Sequence, residues 1–158
     1  MIFPKVTGQN LEFKTYELPH NLEGELNLVI IPFRRWDQNL VDEWSFYLNS
    51  LEEKYSYFRY YEVPALNIGY KLMRFMIDGG MRSGIPDRTV RERTITLYIN
   101  KTPFKKKLKI LSEDTIYLFL MNKNGEIIWR SEARFDNDKF PSLERHIKKQ
   151  EEELKKYF

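Results

Sequence analysis

The pattern of apolar and polar residues predicts strands and helices in alternation along most of the chain. Residues 11–18 (LEFKTYEL) alternate apolar and polar side chains, which is the pattern of a half-buried strand. Residues 27–33 (NLVIIPF) form a continuous apolar run rich in β-branched residues, as expected for a strand buried on both faces. Further strands are predicted at 55–63, 94–99, 115–121 and 126–131, and the sequence NKNG between the last two is a strong hairpin signal.

Helical spacing of apolar residues begins after the second of these strands. The predicted helix spans 36–53, with Asp37 as its N-cap. Its predicted buried face consists of Leu40, Val41, Trp44, Leu48 and Leu51.

Two more segments have the same spacing. In one, Ile68, Leu72, Phe75 and Met76 repeat at helical spacing, and the predicted helix ends at Gly79 and Gly80, before a polar, arginine-rich loop over 81–94. The other begins at about Ser142 and is predicted to bury Leu143, Ile147 and Leu154. Residues 101–111 are predicted to form a short helix or an ordered loop.

The predicted order of elements is β-β-α-β-α-β-(α)-β-β-α. This order favours an α/β fold with a central mixed β-sheet and helices on both faces. The chain of 158 residues contains no internal repeat and no linker-like stretch. We therefore expect one domain over 1–158.

Composition narrows the functional classes. The apolar fraction of 42% and the charged fraction of 31% are those of an ordinary soluble domain, and the formal net charge is only +3. No apolar run is long enough to span a bilayer, and the first residues lack the pattern of a signal peptide. There is no cysteine, which excludes disulfides and thiolate chemistry. These features predict a cytoplasmic protein without a membrane partner.

Four stretches in this order resemble the thioredoxin-like superfamily, most closely its peroxiredoxin-like branch. They are LVIIPF followed by RRWDQN and a helix, YSYFRYYEVPAL, TIYLFLMNKNGEIIW and DKFPSLERHIKKQ. The stretches TLYINKTPFKKKLKI and TIYLFLMNKNGEIIWRSEARF are also similar, more loosely, to the cysteine-free assembly-factor family of mitochondrial ATP synthase.

The resemblance implies a thioredoxin-like fold that lacks redox chemistry. Residues 36–39 stand where redox relatives carry their cysteines, and Asp114 stands where thioredoxins carry a cis-proline. Without a thiolate the reaction of that superfamily cannot occur. We therefore expect no catalytic residue and no enzymatic activity. The predicted role is that of a protein-binding or assembly module that uses the former active-site face.

The turn at residues 33–39 is the first candidate binding site. A helix N-terminus beside Arg34 and Arg35 suits a carboxylate or phosphate. We expect both arginines to face solvent and Trp36 to be partly buried as an anchor or a contact. The alternative is that the turn is only structural.

A second candidate is the arginine cluster of residues 74–93. Clustered arginines bind phosphate and carboxylate groups well, so the alternative function is a basic domain that binds nucleic acid or another polyanion. Nearby Asp78, Asp87 and Glu92 can equally pair with these arginines. The candidate residues are Arg82, Arg88, Arg91 and Arg93, with Arg74 beside them.

The remaining polar residues point to no further chemistry. Lys105, Lys106, Lys107 and Lys109 are predicted to be a solvated helix face, although Phe104 and Tyr98 nearby could stack a base. His20 and His146 are far apart and predict no metal site. No cofactor is predicted, the expected partner is an unidentified protein, and the oligomeric state is left open.

Overall fold

A computed structural model describes residues 1–132 and 138–157. The end of the stretch TIYLFLMNKNGEIIWRSEARF, residues 133–135, lies outside the described part. The strands are β1 (Val6–Asn10), β2 (Thr15–Leu18), β3 (Leu26–Ile31), β4 (Phe58–Glu62), β5 (Ala65–Asn67), β6 (Ile95–Ile99), β7 (Tyr117–Asn122) and β8 (Ile127–Glu132). The helices are α1 (Gln38–Lys54), α2 (Arg74–Gly84), α3 (Arg88–Arg93), α4 (Lys101–Lys107) and α5 (Lys139–Lys155), with 3₁₀ turns at Arg35–Asp37 and Ile68–Met73.

The central sheet has the strand order β4-β3-β7-β8. Strand β3 runs parallel to β4 and antiparallel to β7, and β7 and β8 form the antiparallel hairpin predicted from NKNG. All six residues of β3 are buried because the strand is covered on both faces. The predicted adjacent and central position of the strands at 28–33 and 115–121 is thus confirmed.

A second sheet, with the order β2-β1-β6-β5, meets the first at a parallel bridge between Glu62 and Thr94. The single strand predicted at 11–18 is wrong, because residues 11–14 form a turn between β1 and β2. The Asn10 side-chain carbonyl accepts hydrogen bonds from the backbone amides of Glu12 and Lys14, both at 2.9 Å, and this bonding closes the turn. Phe13 has a φ of 68° there, and its ring is exposed.

Apolar side chains pack on both faces of the central sheet. On one face lie Val41, Trp44, Leu48 and Leu51 of α1 together with Leu143 and Ile147 of α5. On the other face Phe104 and Leu108, at α4, pack with residues of the second sheet. The prediction of an α/β fold with helices flanking a mixed sheet is confirmed.

The segment from Ile68 to Arg93 differs most from its prediction. Helix α2 passes through Gly79 and Gly80 and ends at Gly84, and the predicted loop is largely the end of α2 followed by α3. The four apolar residues that repeat at helical spacing are exposed: Ile68, Leu72, Phe75 and Met76. The reason is that α2 packs through its polar side, where the Asp78 carboxylate accepts hydrogen bonds from Thr96 and Tyr98 of β6.

Candidate partner-binding site

The turn after β3 lies at the edge of the sheet where the parallel strands β3 and β4 end. Its backbone is held by β5, since the Ala65 amide donates to the Pro32 carbonyl at 3.1 Å. Arg34 is the residue before the 3₁₀ turn, and its backbone is extended. In open α/β sheets this edge is where ligands collect. We call the surface formed by residues 33–37 with Lys101, Lys105, Glu113 and Asp114 the carboxyl edge.

Arg34 connects the turn to the segment before β7. Its guanidinium donates to both carboxylate oxygens of the buried Asp37, from Nε at 3.1 Å and from Nη2 at 2.9 Å. The same group donates to the Asp114 carboxylate at 3.4 Å and to the Asp114 backbone carbonyl. The turn after β3 and the segment before β7 are therefore joined by an ion-pair network.

Asp37 is the N-cap of α1, as predicted, but its side chain makes no cap hydrogen bond. The carboxylate is instead occupied by Arg34. The spacing R-x-x-D at the start of a helix is the sequence signal for such a pair, and the prediction of two solvated arginines overlooked it. Arg35 is exposed, as expected, whereas Arg34 is only partly exposed.

Trp36 is 72% exposed, so the expectation that its ring is partly buried is wrong. The reason is helical spacing. Asp37, Val41, Trp44 and Leu48 follow one another at intervals of three or four residues and occupy the inward side of the helix, which turns Trp36 outward. The guanidinium of Arg34 lies 5.3 Å from the indole centroid, which supports the ring in that exposed position.

A second charged cluster adjoins the turn. Lys101 and Lys105 each donate to the Glu113 carboxylate at 2.6 Å. These hydrogen bonds hold the pKa of Glu113 below its usual value. Lys101 also lies 5.9 Å from the ring centroid of Phe33, which places the cluster beside the turn. The carboxyl edge therefore combines ion pairs with an exposed aromatic side chain.

Glu62, at the end of β4, is a buried acid that the sequence analysis did not select. It lies opposite Ile30 in the sheet and is 8% exposed. Burial, and to a lesser degree the negative charge of Asp42, raise its pKa to about 7, although a hydrogen bond with Gln38 of α1 opposes the shift. The signal in the sequence is a carboxylate in the aromatic strand FRYYEV.

The arginines of residues 74–93 are held by acidic or carbonyl partners. Arg82 and Arg91 both pair with Glu12, whose pKa falls chiefly because of the hydrogen bond from Arg91. Arg93 pairs with Glu52, and Arg88 pairs with Glu92. Arg74 donates to the Thr96 carbonyl at 3.2 Å and lies 3.7 Å from the Asp78 carboxylate. Their charge is largely balanced within the protein.

A cleft of about 480 Å³ lies beside Arg88 and Arg93. Its lining mixes both signs of charge: Glu12, Glu23, Glu52 and Glu92 with Lys14, Arg59, Arg88 and Arg93. A surface of this kind attracts a polyanion weakly, because the carboxylates oppose the arginines.

In residues 1–132 and 138–157 no group of three or more His, Asp or Glu side chains could hold a metal ion.

Replacing Arg34 by alanine is expected to lower the melting temperature by about 5 °C, because the Asp37 carboxylate stays buried without its counter-charge. Arg35→Ala, which removes an exposed arginine one position away, should leave the melt unchanged. Thermal unfolding followed by circular dichroism measures both. In a third variant, Arg34→Met with Asp37→Leu, the removal of both charges should recover most of the loss. Equal melts for the two single variants would contradict the role given to the pair.

Comparison with solved structures shows the class of fold. A Sco-family cytochrome c oxidase assembly protein, BsSco, superposes with a TM-score of 0.64 at 12% identity, covering 95% of this chain and 93% of that one. A thiol:disulfide interchange protein from Bacteroides sp. gives 0.60 at 17% identity, covering 93% and 88%. A putative DsbE from Chlorobium tepidum gives 0.54 at 14% identity, covering 92% of each chain. The chain has a thioredoxin-like fold, and it has no cysteine.

The sequence profile of the ATP10 protein family matches residues 1–149, so the chain belongs to the ATP10 family. The looser resemblance found in the sequence is thereby confirmed, whereas the peroxiredoxin-like branch stays a prediction. No curated protein sequence matches the chain significantly. ATP10 proteins are assembly factors rather than enzymes.

The prediction of a cytoplasmic protein is wrong, because the ATP10 family consists of mitochondrial assembly factors. The prediction rested on composition and on the lack of a recognisable signal pattern. Neither property identifies the cellular compartment in which a domain resides. Within the described residues, no helix has the length and apolar character needed to cross a bilayer.

Proposed function

We propose that this chain is a non-redox assembly factor that holds a protein subunit of ATP synthase on the carboxyl edge. Membership of the ATP10 family supports an assembly role, and the lack of cysteine removes the chemistry of the redox relatives. The proposed contact residues are Arg34, Arg35 and Trp36. Arg82, Arg88, Arg91 and Arg93 are not part of this surface, since their pairing within the protein suits a structural role.

The exposed indole of Trp36 is the observation that carries the proposal. A tryptophan that is 72% exposed leaves a large apolar surface in water, which is costly for a free monomer. Tryptophan and arginine are also the residues most enriched among the side chains that dominate protein interfaces. Here both types stand together, and Arg34 holds the ring in place from one side.

The ion pairs of Arg34 support a role in binding, without catalysis, for the turn at residues 33–37. In redox relatives this loop must present a reactive thiolate to its substrate. Here Arg34 ties the loop to Asp37 and to Asp114, so the exposed ring is presented from an ordered support. An ordered support lowers the entropy lost when a partner binds.

Trp36→Ala is expected to weaken binding of the ATP synthase subunit about 30-fold, which corresponds to the loss of an interfacial tryptophan worth about 2 kcal/mol. The melting temperature should not change, because the ring lies outside the core. The measurement is photo-crosslinking in cells whose only copy of the protein carries the variant, with the crosslinked subunit identified by mass spectrometry. Assembled ATP synthase is quantified on native gels.

Phe46→Ala is the matched control, since Phe46 is another exposed aromatic residue, 76% exposed on α1 and outside the carboxyl edge. It should leave crosslinking and assembly unchanged. If Trp36→Ala assembles ATP synthase as well as the wild type, or if both variants lose it equally, the carboxyl edge is not the binding surface.

A further inference from the structure

An exposed apolar feature outside the carboxyl edge lies on the 3₁₀ turn and the first residues of α2. We call it the apolar segment, and its residues are Ile68, Tyr70, Leu72, Met73, Phe75 and Met76. Leu72 is 98% exposed, Phe75 86% and Met76 72%. Contiguous apolar side chains of this size on a soluble protein mark an interaction site.

A buried polar network fixes the outward direction of these side chains. Asp78 accepts hydrogen bonds from the Thr96 hydroxyl at 2.9 Å and from the Tyr98 hydroxyl at 2.6 Å. Arg74 donates to the Thr96 carbonyl, and its guanidinium lies 4.7 Å from the ring centroid of Tyr98. Rotating α2 to bury its apolar side would break the hydrogen bonds of Asp78 and Arg74 with β6. A buried polar group without a partner destabilises the folded chain, so this network opposes the rotation.

The surroundings of the apolar segment are basic. Lys71 is exposed within it. Asn67 pairs with Ile99 in the parallel ladder of β5 and β6, so the start of the segment lies next to the start of α4. Exposed lysines lie at the end of α4 and shortly after it: Lys106, Lys107 and Lys109. Glu113 pairs with Lys101 and Lys105, which leaves these outer lysines free of that carboxylate.

We propose that the apolar segment inserts into the interface of an anionic lipid bilayer while the neighbouring lysines bind the lipid headgroups. An interfacial element of this kind needs apolar side chains on one side, polar groups on the other and basic residues at its border. Within the segment Leu72 and Phe75 are almost fully exposed, which suits insertion into a deformable bilayer. Lysine stems can extend along the same surface while their ammonium groups reach anionic lipid.

No residue of the apolar segment belongs to the carboxyl edge, the site proposed for the protein partner. No membrane partner was predicted from the sequence, because no apolar run is long enough to span a bilayer. That criterion addresses spanning segments and does not address a short element lying in the interface. The proposal therefore concerns peripheral attachment, and it stands or fails independently of Trp36.

Flotation of the full chain with vesicles tests the proposal, using phosphatidylcholine alone and phosphatidylcholine mixed with phosphatidylglycerol. The wild-type chain should float with the mixed vesicles. Leu72→Gln with Phe75→Gln should reduce the partition coefficient about 100-fold, because two large apolar side chains no longer enter the bilayer. Lys106→Glu with Lys107→Glu should reduce it at least about 10-fold, and only on the anionic vesicles.

The matched control is Leu111→Gln with Phe46→Gln, since Leu111 is 96% and Phe46 76% exposed outside the segment. This variant and Trp36→Ala should both float like the wild type, and circular dichroism confirms that each variant is folded. The proposal is overturned if the wild type stays unbound, or if the control loses binding equally. It is also overturned if sedimentation shows a dimer that Leu72→Gln with Phe75→Gln dissociates, since the segment would then bind a second copy of the chain.

Discussion

At about pH 8 the Glu62→Gln variant is expected to unfold with a free energy about 3 kcal/mol larger than that of the wild-type chain, whereas at about pH 4 the two should match. The carboxyl group of Glu62 is buried where β4 meets α1, and burial raises its pKa from 4.5 to about 7. Each unit of pKa shift corresponds to about 1.4 kcal/mol between the folded and unfolded states.

The sign follows from proton binding. Between pH 4.5 and about 7 the folded chain keeps the proton on Glu62 while the unfolded chain releases it. Stability therefore falls as the pH rises through this window and levels off above the pKa of the folded state. Glutamine is neutral throughout and can still hydrogen-bond with Gln38, so the variant loses this pH dependence.

Denaturant unfolding at a series of pH values measures the difference between the two proteins. The difference isolates Glu62 because all other titrating groups are shared. Glu53→Gln, which neutralises an exposed glutamate on α1, is the control and should run parallel to the wild type. Parallel curves for Glu62→Gln as well would mean that Glu62 does not hold a proton in the folded chain at neutral pH.

Trp44→Ala is expected to destabilise the protein by about 4 kcal/mol, the largest effect of any single change considered for this chain. Trp44 is completely buried between α1 and the central sheet, and its ring meets that of Trp129 edge-to-face at 6.3 Å. Alanine leaves a large cavity and removes this contact. The melting temperature should fall by roughly 10 °C.

Phe46→Ala removes a different aromatic ring from the same helix, two positions away. Its ring is exposed and contacts Tyr47 at 5.3 Å, so the free energy of unfolding should change by no more than about 0.5 kcal/mol. Chemical denaturation of both variants gives the comparison. Similar losses for the two would show that α1 is not packed on the sheet by the face that contains Trp44.

Elements with a regular local pattern were predictable because their burial is uniform along the element. The apolar run that became β3 is buried throughout, and the hairpin between β7 and β8 forms where NKNG predicted it. The spacing of Val41, Trp44 and Leu48 correctly placed the buried face of α1. In these cases the residues that the spacing of apolar side chains places on one face are the residues that face the core.

The turn after β3 lies where the order of the elements predicted it, but the contacts of its side chains were not predictable. Placing a binding surface at the turn after β3 needed only the order of the elements. The state of its side chains depends on partners that are remote in sequence. Arg34 reaches Asp114, which is 80 residues away, and the pairing of Arg91 with Glu12 spans 79. No local pattern reports such pairs, so the sequence could not show which arginines are exposed.

What the sequence by itself determined is the chain order of the central-sheet strands with α1 and α5, the central buried strand, the face on which α1 packs and the exclusion of thiol chemistry. All of these follow from composition or from the spacing of apolar and polar residues within a single strand or helix. Only the tertiary structure decided the orientation of α2, because Asp78 meets Thr96 and Tyr98 across 18 and 20 residues. It likewise decided that Glu62 is buried and that Trp36 is not. Burial of a polar group depends on whether distant residues satisfy it, and that information exists only once the chain is folded.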